Sequence, residues 1–436
     1  MAKVITFEQV NAHGAAIDIG AEKIFVSPDG VRVWVYQTFT ADYRKCVSDL
    51  RAEGIQKVCM EATGVYWVAL YELLEASGME VCLVNPKEVK QVKGRKTDVQ
   101  DCRWIQKVFS AGLVRQSYVP SGKIKELRMI VREREDIIEM GSAYVNKMQK
   151  ALELMNIKLK PILSQIHGSS GIKMIEAIIN GERDAERLLH LCDRSIIKNK
   201  GELVVKALEG NYNDSWIFLL EQNLKMWQVH QRQIQIIDKR IEYLLQELAN
   251  GKEDVKGVVA PKAIRHHPPK IENLHQKLLN IYGVDGNSLS GLNDYTLLKL
   301  LGEVGTDMSR FPTAKHFASW CQLAPANNQS GKMKRAVKMR NGNRAGQIFR
   351  NVAQGLLNSK YIAIGSYMRR VRAKKDSKVA VKAGARKLAV AFYNLLNKGA
   401  AYVEQGAKKY QDQLMEREKT YLKNLAHKHN LHLVPA

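Results

Sequence analysis

The chain has 436 residues, more than one hydrophobic core usually accommodates, which favours two or three domains over a single compact one. Apolar residues at 45% and charged residues at 26% exclude wholesale disorder, and neither a secretory leader in MAKVITFEQV nor a long apolar span is evident, so a soluble cytoplasmic protein without a membrane partner is expected. A formal charge of +24, from 68 Lys and Arg against 44 Asp and Glu, favours a polyanionic partner, because neutralising phosphates releases condensed counterions.

In chain order, residues 14–38 hold three short runs of β-branched and aromatic residues separated by GAE and SPDG, a pattern that predicts an antiparallel three-stranded meander. A helix follows over about residues 41–53, then the strand QKVCM, a helix from near Val65 and the strand VCLVN. The order βββαβαβα is that of an α/β ribonuclease H-like fold, a mixed sheet flanked by helices, assigned to residues 1–120, which the family resemblance set out below makes RuvC-like.

Four acids in this domain stand out. Asp18 lies among apolar residues in AAIDIG, and Glu61 ends the strand VCM in the same way. A carboxylate in such a place is costly unless it is paired, hydrogen-bonded or ligating a cation. Asp98 and Asp101 in GRKTDVQDCRWIQ are three apart and share one helical face, with Thr97 placed to cap that helix. Each acid alone reads equally as a turn residue or a solvated helix face. Together, two from neighbouring strands and two from one helix, they form the ligand set of a two-metal phosphoryl-transfer site. Hard oxygen ligands select Mg2+ or Mn2+.

Residues 121–250 lose the strand signals and become helical. Ile234, Ile237, Ile241, Leu244 and Leu248 step by three and four, as in a coiled-coil dimerisation seam, a long helical hairpin or the core of a helical bundle. Residues 251–270 mix Gly, Pro and charge and read as a linker. His266 and His267 within it precede two prolines, a poor setting for a helical metal site.

A mainly α C-terminal domain is expected over residues 271–405, with a helix-hairpin-helix-like element in LLNIYGVDGNSLSGLNDYTLLKLLGEVG, where a helix start after a Gly-rich turn suits a phosphate. Residues 321–400 carry 18 basic side chains and one acid, Asp376. Within this stretch, Lys332, Lys334, Arg335, Lys338, Arg340 and Arg344 are candidates for holding nucleic-acid phosphates. Ser330 sits beside them in LAPANNQSGKMKRAVKMRNGN; on its residues alone it reads as a loop or capping serine, since a serine nucleophile needs an activating base or metal. Residues 406–436 read as a polar tail, and His427, His429 and His432 in it lack a Cys or carboxylate at ligand spacing. The six cysteines, Cys46, Cys59, Cys82, Cys102, Cys192 and Cys321, include no Cys-x-x-Cys pair and are expected as buried or neutral thiols in a reducing compartment.

The runs IDIGAEK, CMEATGVYW, VNPKEVK and GRKTDVQDCRWIQ, and later GEVGTDMSRFPTAKHFASWCQLAPANNQSGK and NGNRAGQIFR, resemble the two transposase domains of the insertion-sequence one-ten family. The resemblance implies that Asp18, Glu61, Asp98 and Asp101 form the metal site of a DEDD domain and that Ser330 becomes covalently joined to DNA. It further implies a structured noncoding bridge RNA that pairs with donor and target DNA, and a homo-oligomer in which dimers join into a tetramer. The turn IYGVDGNSLSG is longer than the one common in that family. Two other readings stay open at this point: a junction-resolving nuclease that uses water, and a nucleic-acid-binding structural protein without catalysis.

Overall fold

The structure, a computed structural model, describes residues 9–89, 97–120, 122–257, 259–325, 329–330, 333–334, 343–359 and 362–431. It divides into two compact units, Met1–Val119 and Pro120–Ala436.

The first unit is built on a five-stranded sheet of β1 (Gly14–Ile19), β2 (Lys23–Ser27), β3 (Trp34–Gln37), β4 (Lys57–Glu61) and β5 (Glu80–Val84) in the order β3-β2-β1-β4-β5. The meander expected from the sequence forms as two antiparallel pairs, β1 with β2 and β2 with β3. Its second turn closes as SPDG requires: Asp29 Oδ1 accepts from the Val31 and Arg32 amides, and Gly30 takes φ of 79°, a conformation that costs glycine little. Strands β4 and β5 add in parallel on the other side of β1, an arrangement compatible with the ribonuclease H-like expectation.

Helices α1 (Thr40–Ala52), α2 (Trp67–Ala76), α3 (Pro86–Val89) and α4 (Asp98–Ser110) complete the unit. The sheet has two buried faces. Ile17, Ile24, Val26, Val58 and Met60 pack with Leu50, Leu70 and Leu74 of α1 and α2. On the opposite face Ala16, Cys59 and Val84 pack with Ile105 and Phe109 of α4. Burial on both faces explains why β1 and β4 read as near-continuous apolar runs.

The second unit is mostly helical. Helices α5 (Gly122–Leu154) and α9 (Asp214–Ala249) form a long antiparallel hairpin, cross-linked by Lys123 to Glu247 at 2.8 Å and by an ion pair between Arg240 and Glu126. Between them in sequence, α6 (Ser169–Ile179), α7 (Ala185–Leu189) and α8 (Arg194–Leu208) build a separate core around Met148, Leu152, Leu188, Leu208 and Leu220. The other end of the hairpin shares its core with α10 (Leu274–Tyr282), α11 (Asp294–Val304), α12 (Ala314–Trp320), α13 (Arg344–Leu356), α14 (Ala363–Lys374) and α15 (Ser377–Lys428). Of the isoleucine–leucine seam in α9, Ile241 and Leu244 are fully buried in this core with Leu127 and Val131 of α5, and Ile237 and Leu248 pack against it. The seam is thus met by a helix of the same chain, as in the hairpin alternative.

A buried ionic knot ties the hairpin to α11. The Arg134 guanidinium, fully buried on α5, donates to Asp238 Oδ1 on α9 at 2.5 Å, to the Tyr295 hydroxyl at 2.6 Å and to the His267 carbonyl at 3.1 Å. Removing one partner of such a pair strands the other charge out of water, so Arg134→Ala is expected to lower unfolding free energy by roughly 3–5 kcal/mol. A urea melt checks this; a loss below about 1 kcal/mol would mean that Asp238 is reached by water.

The described residues of 251–270, expected as a linker, form neither helix nor strand but lie against the helices. Lys262 Nζ donates to the Leu289 carbonyl at 2.6 Å, and Lys252 Nζ to the Ile281 carbonyl at 2.8 Å. Where the helix-hairpin-helix-like element is expected, α10 and α11 flank a turn in which Gly283 and Gly291 take positive φ. The start of α11 is already filled, however: buried Asp294 accepts from the side chain of buried Asn287 at 2.5 Å and lies 2.9 Å from His275 Nδ1. A phosphate at that helix end would meet a carboxylate, so the geometry does not offer the phosphate contact suggested by the sequence.

The segment from residue 406, expected as a polar tail, continues as helix within α15 as far as Lys428, beyond a kink at Gly399. Its content of Ala, Glu, Lys, Gln and Leu accounts for this, since each is a strong helix former. Among the described residues, no helix is long and apolar enough to cross a membrane.

Candidate active site

Asp18 and Glu61 are brought together by register. Parallel pairing sets Ala16 opposite Cys59 and Ile17 opposite Met60, so the next step along both strands is Asp18 and Glu61. Alternation places them on the same face as Ala16 and Cys59, the face covered by α4. Both side chains are half-buried, and the Thr63 hydroxyl donates to Glu61 Oε1 at 3.3 Å.

Helix α4 runs antiparallel to β1 across this face, and three contacts establish its direction. Near its C-terminal end Phe109 closes on Gly14, where an added Cβ would sit 2.6 Å from the ring. One turn earlier, Gln106 Nε2 donates to the Gly14 carbonyl at 3.0 Å. Another turn earlier, the Cys102 thiol donates to the carbonyls of Ala16 at 3.4 Å and Phe25 at 3.0 Å. Continuing the same way, the first turn of α4, with Asp98 and Asp101, reaches the end of the sheet where β1 and β4 present Asp18 and Glu61.

Thr97 caps that turn, its hydroxyl accepting from the Gln100 amide at 3.3 Å. Asp98 is exposed and Asp101 half-buried. Cys102 is no ligand competitor: burial pushes its thiol up to about 12, so it stays protonated and serves as a donor.

The structure therefore sets Asp18 and Glu61 side by side at one end of one sheet face, the end toward which the first turn of α4, with Asp98 and Asp101, runs. It does not draw them into a closed shell: among the described residues, no three His, Cys, Asp or Glu side chains stand close enough to hold a metal. The donor set nonetheless has the right chemistry for a hard divalent cation, four carboxylates from two strands and a helix start. Residues 90–96, with the basic GRK run before α4, lie outside the described residues.

Ser330 belongs to the second unit. Its backbone forms a short antiparallel ladder, β6 (Gln329–Ser330) with β7 (Met333–Lys334), in which Ser330 pairs with Met333. Of the expected phosphate contacts, Lys334 falls in β7, while Lys332, Arg335, Lys338 and Arg340 lie outside the described residues. Arg344 opens α13 half-exposed, with its guanidinium 3.6 Å from Asp136.

Sequence reasoning missed two supports of the site, Thr63 and Gln106. The ATG turn directly after Glu61 is a signal for the first. Nothing local marks the second, which acts on a carbonyl 92 residues away.

Two family models match the chain. One, described as a transposase of the DEDD type, covers residues 15–157 and so includes all four acids. The other, described as the transposase IS116/IS110/IS902 family, covers residues 287–355 and includes Ser330. No curated protein matches significantly.

Proposed function

The chain belongs to the IS110-type transposases, enzymes that cut and rejoin DNA, and on that premise we propose that it is a metal-assisted serine recombinase. The observation that carries the reading is the register that makes Asp18 and Glu61 neighbours on the face crossed by α4, whose first turn holds Asp98 and Asp101. These four carboxylates would hold magnesium or manganese. A cation bound there supplies Lewis-acid stabilisation of phosphate oxygens and of a leaving alkoxide.

The chain's own residues do the rest. Ser330 Oγ attacks a DNA phosphorus, the new Oγ–P bond forms as the bond to the 3′ oxygen breaks, and the serine proton passes to that departing oxygen. A 3′-hydroxyl from the second DNA reverses the step and reseals the strand. Holding the phosphate on serine conserves the energy of the broken bond, so no external energy source is needed. Lys332, Lys334, Arg335, Lys338, Arg340 and Arg344 hold backbone phosphates; Arg344 exchanges Asp136 for a phosphate on binding. The local excess of 18 basic residues over one acid in residues 321–400 supports this assignment.

A structured noncoding RNA serves as guide, pairing with donor and target DNA, and the working assembly is a tetramer of two dimers. Family membership supports both statements. Target choice then resides in base pairing rather than in side chains.

Denaturing gels test the chemistry. The purified chain, incubated with Mg2+, RNA from its own locus and flanking DNA, is expected to yield a covalent protein–DNA band. Cleaved DNA without any covalent band would favour hydrolysis by water and a junction-resolving nuclease.

A further inference from the structure

Two of the six cysteines face each other directly beneath the carboxylate end of the sheet. Cys59 on β4 is in parallel register with Cys82 on β5, and both side chains lie on the face covered by α4. Neighbouring strands lie about 4.8 Å apart, inside the span of roughly 4.4–6.8 Å between Cα atoms that a disulfide bridges. Cys59 is fully buried, whereas Cys82 is partly exposed. The other thiols are placed differently. Cys46 lies in the core on the opposite face, Cys102 is engaged by two carbonyls, and Cys192 and Cys321 belong to the second unit.

We propose that Cys59 and Cys82 are an oxidisable dithiol that a hydroperoxide converts to a disulfide, disabling the adjacent carboxylate site. The partly exposed Cys82 sulfur attacks the peroxide: its S–O bond forms, the O–O bond breaks, and the departing oxygen leaves as water or alcohol with the thiol proton. The Cys59 sulfur then displaces the remaining hydroxyl as a second water, forming the S–S bond. Two electrons pass from the thiols to the peroxide. Its partial exposure suits the Cys82 thiol to the first attack, since a peroxide reaches it before the buried Cys59.

The consequence follows from position and rests on the metal-ligand reading of Glu61. Glu61 is two residues beyond Cys59 on the same face of β4, paired with Val84 two beyond Cys82 on β5. A covalent link at that step locks β4 to β5, so Glu61, the next residue on that face, cannot shift to close on a cation.

Mapping on the full-length protein tests the dithiol without reference to activity. Cleavage after glutamate releases residues 54–61 and 81–88 as separate peptides, each with one cysteine. After hydrogen peroxide they are expected as one linked species, two hydrogen masses lighter than their sum, which reductant separates and Cys82→Ser does not form. Peptides that remain separate, or Cys59 linked to Cys102, overturn the proposal. Strand cleavage by the wild type is expected to be lost on oxidation and restored by reductant, while Cys82→Ser keeps its activity through the same treatment. A mapped disulfide with undiminished cleavage overturns the regulatory half. A reduced wild type that cuts no DNA indicts the functional reading instead, and the mapping still decides the dithiol.

Discussion

Asp18→Asn is expected to reduce metal-dependent DNA strand cleavage by on the order of 10³-fold or more, with the fold intact. The magnitude follows from the several kcal/mol of charge stabilisation that a divalent cation contributes to phosphoryl transfer, each ~1.4 kcal/mol being tenfold in rate. Asparagine keeps the shape of the side chain and removes one ligand charge. Because Asp18 is half-buried near the end of the central strand, the substitution leaves the apolar packing of Ala16, Ile17 and Ile19 in place, and circular dichroism should be unchanged. Glu61→Gln should behave alike, since register makes the two residues neighbours. Cleavage within a few-fold of wild type would remove Asp18 from the site.

Ser330→Ala is expected to abolish the covalent protein–DNA adduct and the rejoined product while leaving nucleic-acid affinity nearly unchanged. Binding rests on many basic side chains, and one neutral hydroxyl contributes little beside them. Alanine offers no atom to form the bond, so the loss should be complete rather than graded. An adduct that persists in the alanine variant would move the covalent link to another residue. Loss of binding in parallel with the adduct would instead mark Ser330 as structural.

The sequence marks these two candidates with signals of different strength. Asp18 and Glu61 announced themselves because ionised side chains in apolar strands need a reason to be there, and Asp98 and Asp101 because helical spacing aligns them. What the linear pattern could not supply is the placement of α4, decided by the Gly14 to Phe109 approach and by the bonds from Gln106 and Cys102 across the sheet. Ser330 looks like any loop serine, and only resemblance singled it out.

The fold divides in the same way. The meander and the alternating strands and helices of the first unit follow from local periodicity and turn chemistry, and the observed α1 begins within a residue of expectation. The long-range choices are hidden. Arg134 sits in VREREDIIE and reads as one charge in a solvated run, yet its partner Asp238 lies 104 residues away and both are buried. Asp294 likewise reads as an exposed helix start, but it is enclosed by Asn287 and His275.

The most direct test of the account is a manganese titration of the full-length chain, followed by electron paramagnetic resonance of the free ion. The wild type is expected to remove Mn2+ from solution, with Mg2+ competing for the same site, and Asp18→Asn and Glu61→Gln each to weaken that uptake markedly. Equal uptake by the wild type and both variants would contradict the assignment of the metal to these carboxylates.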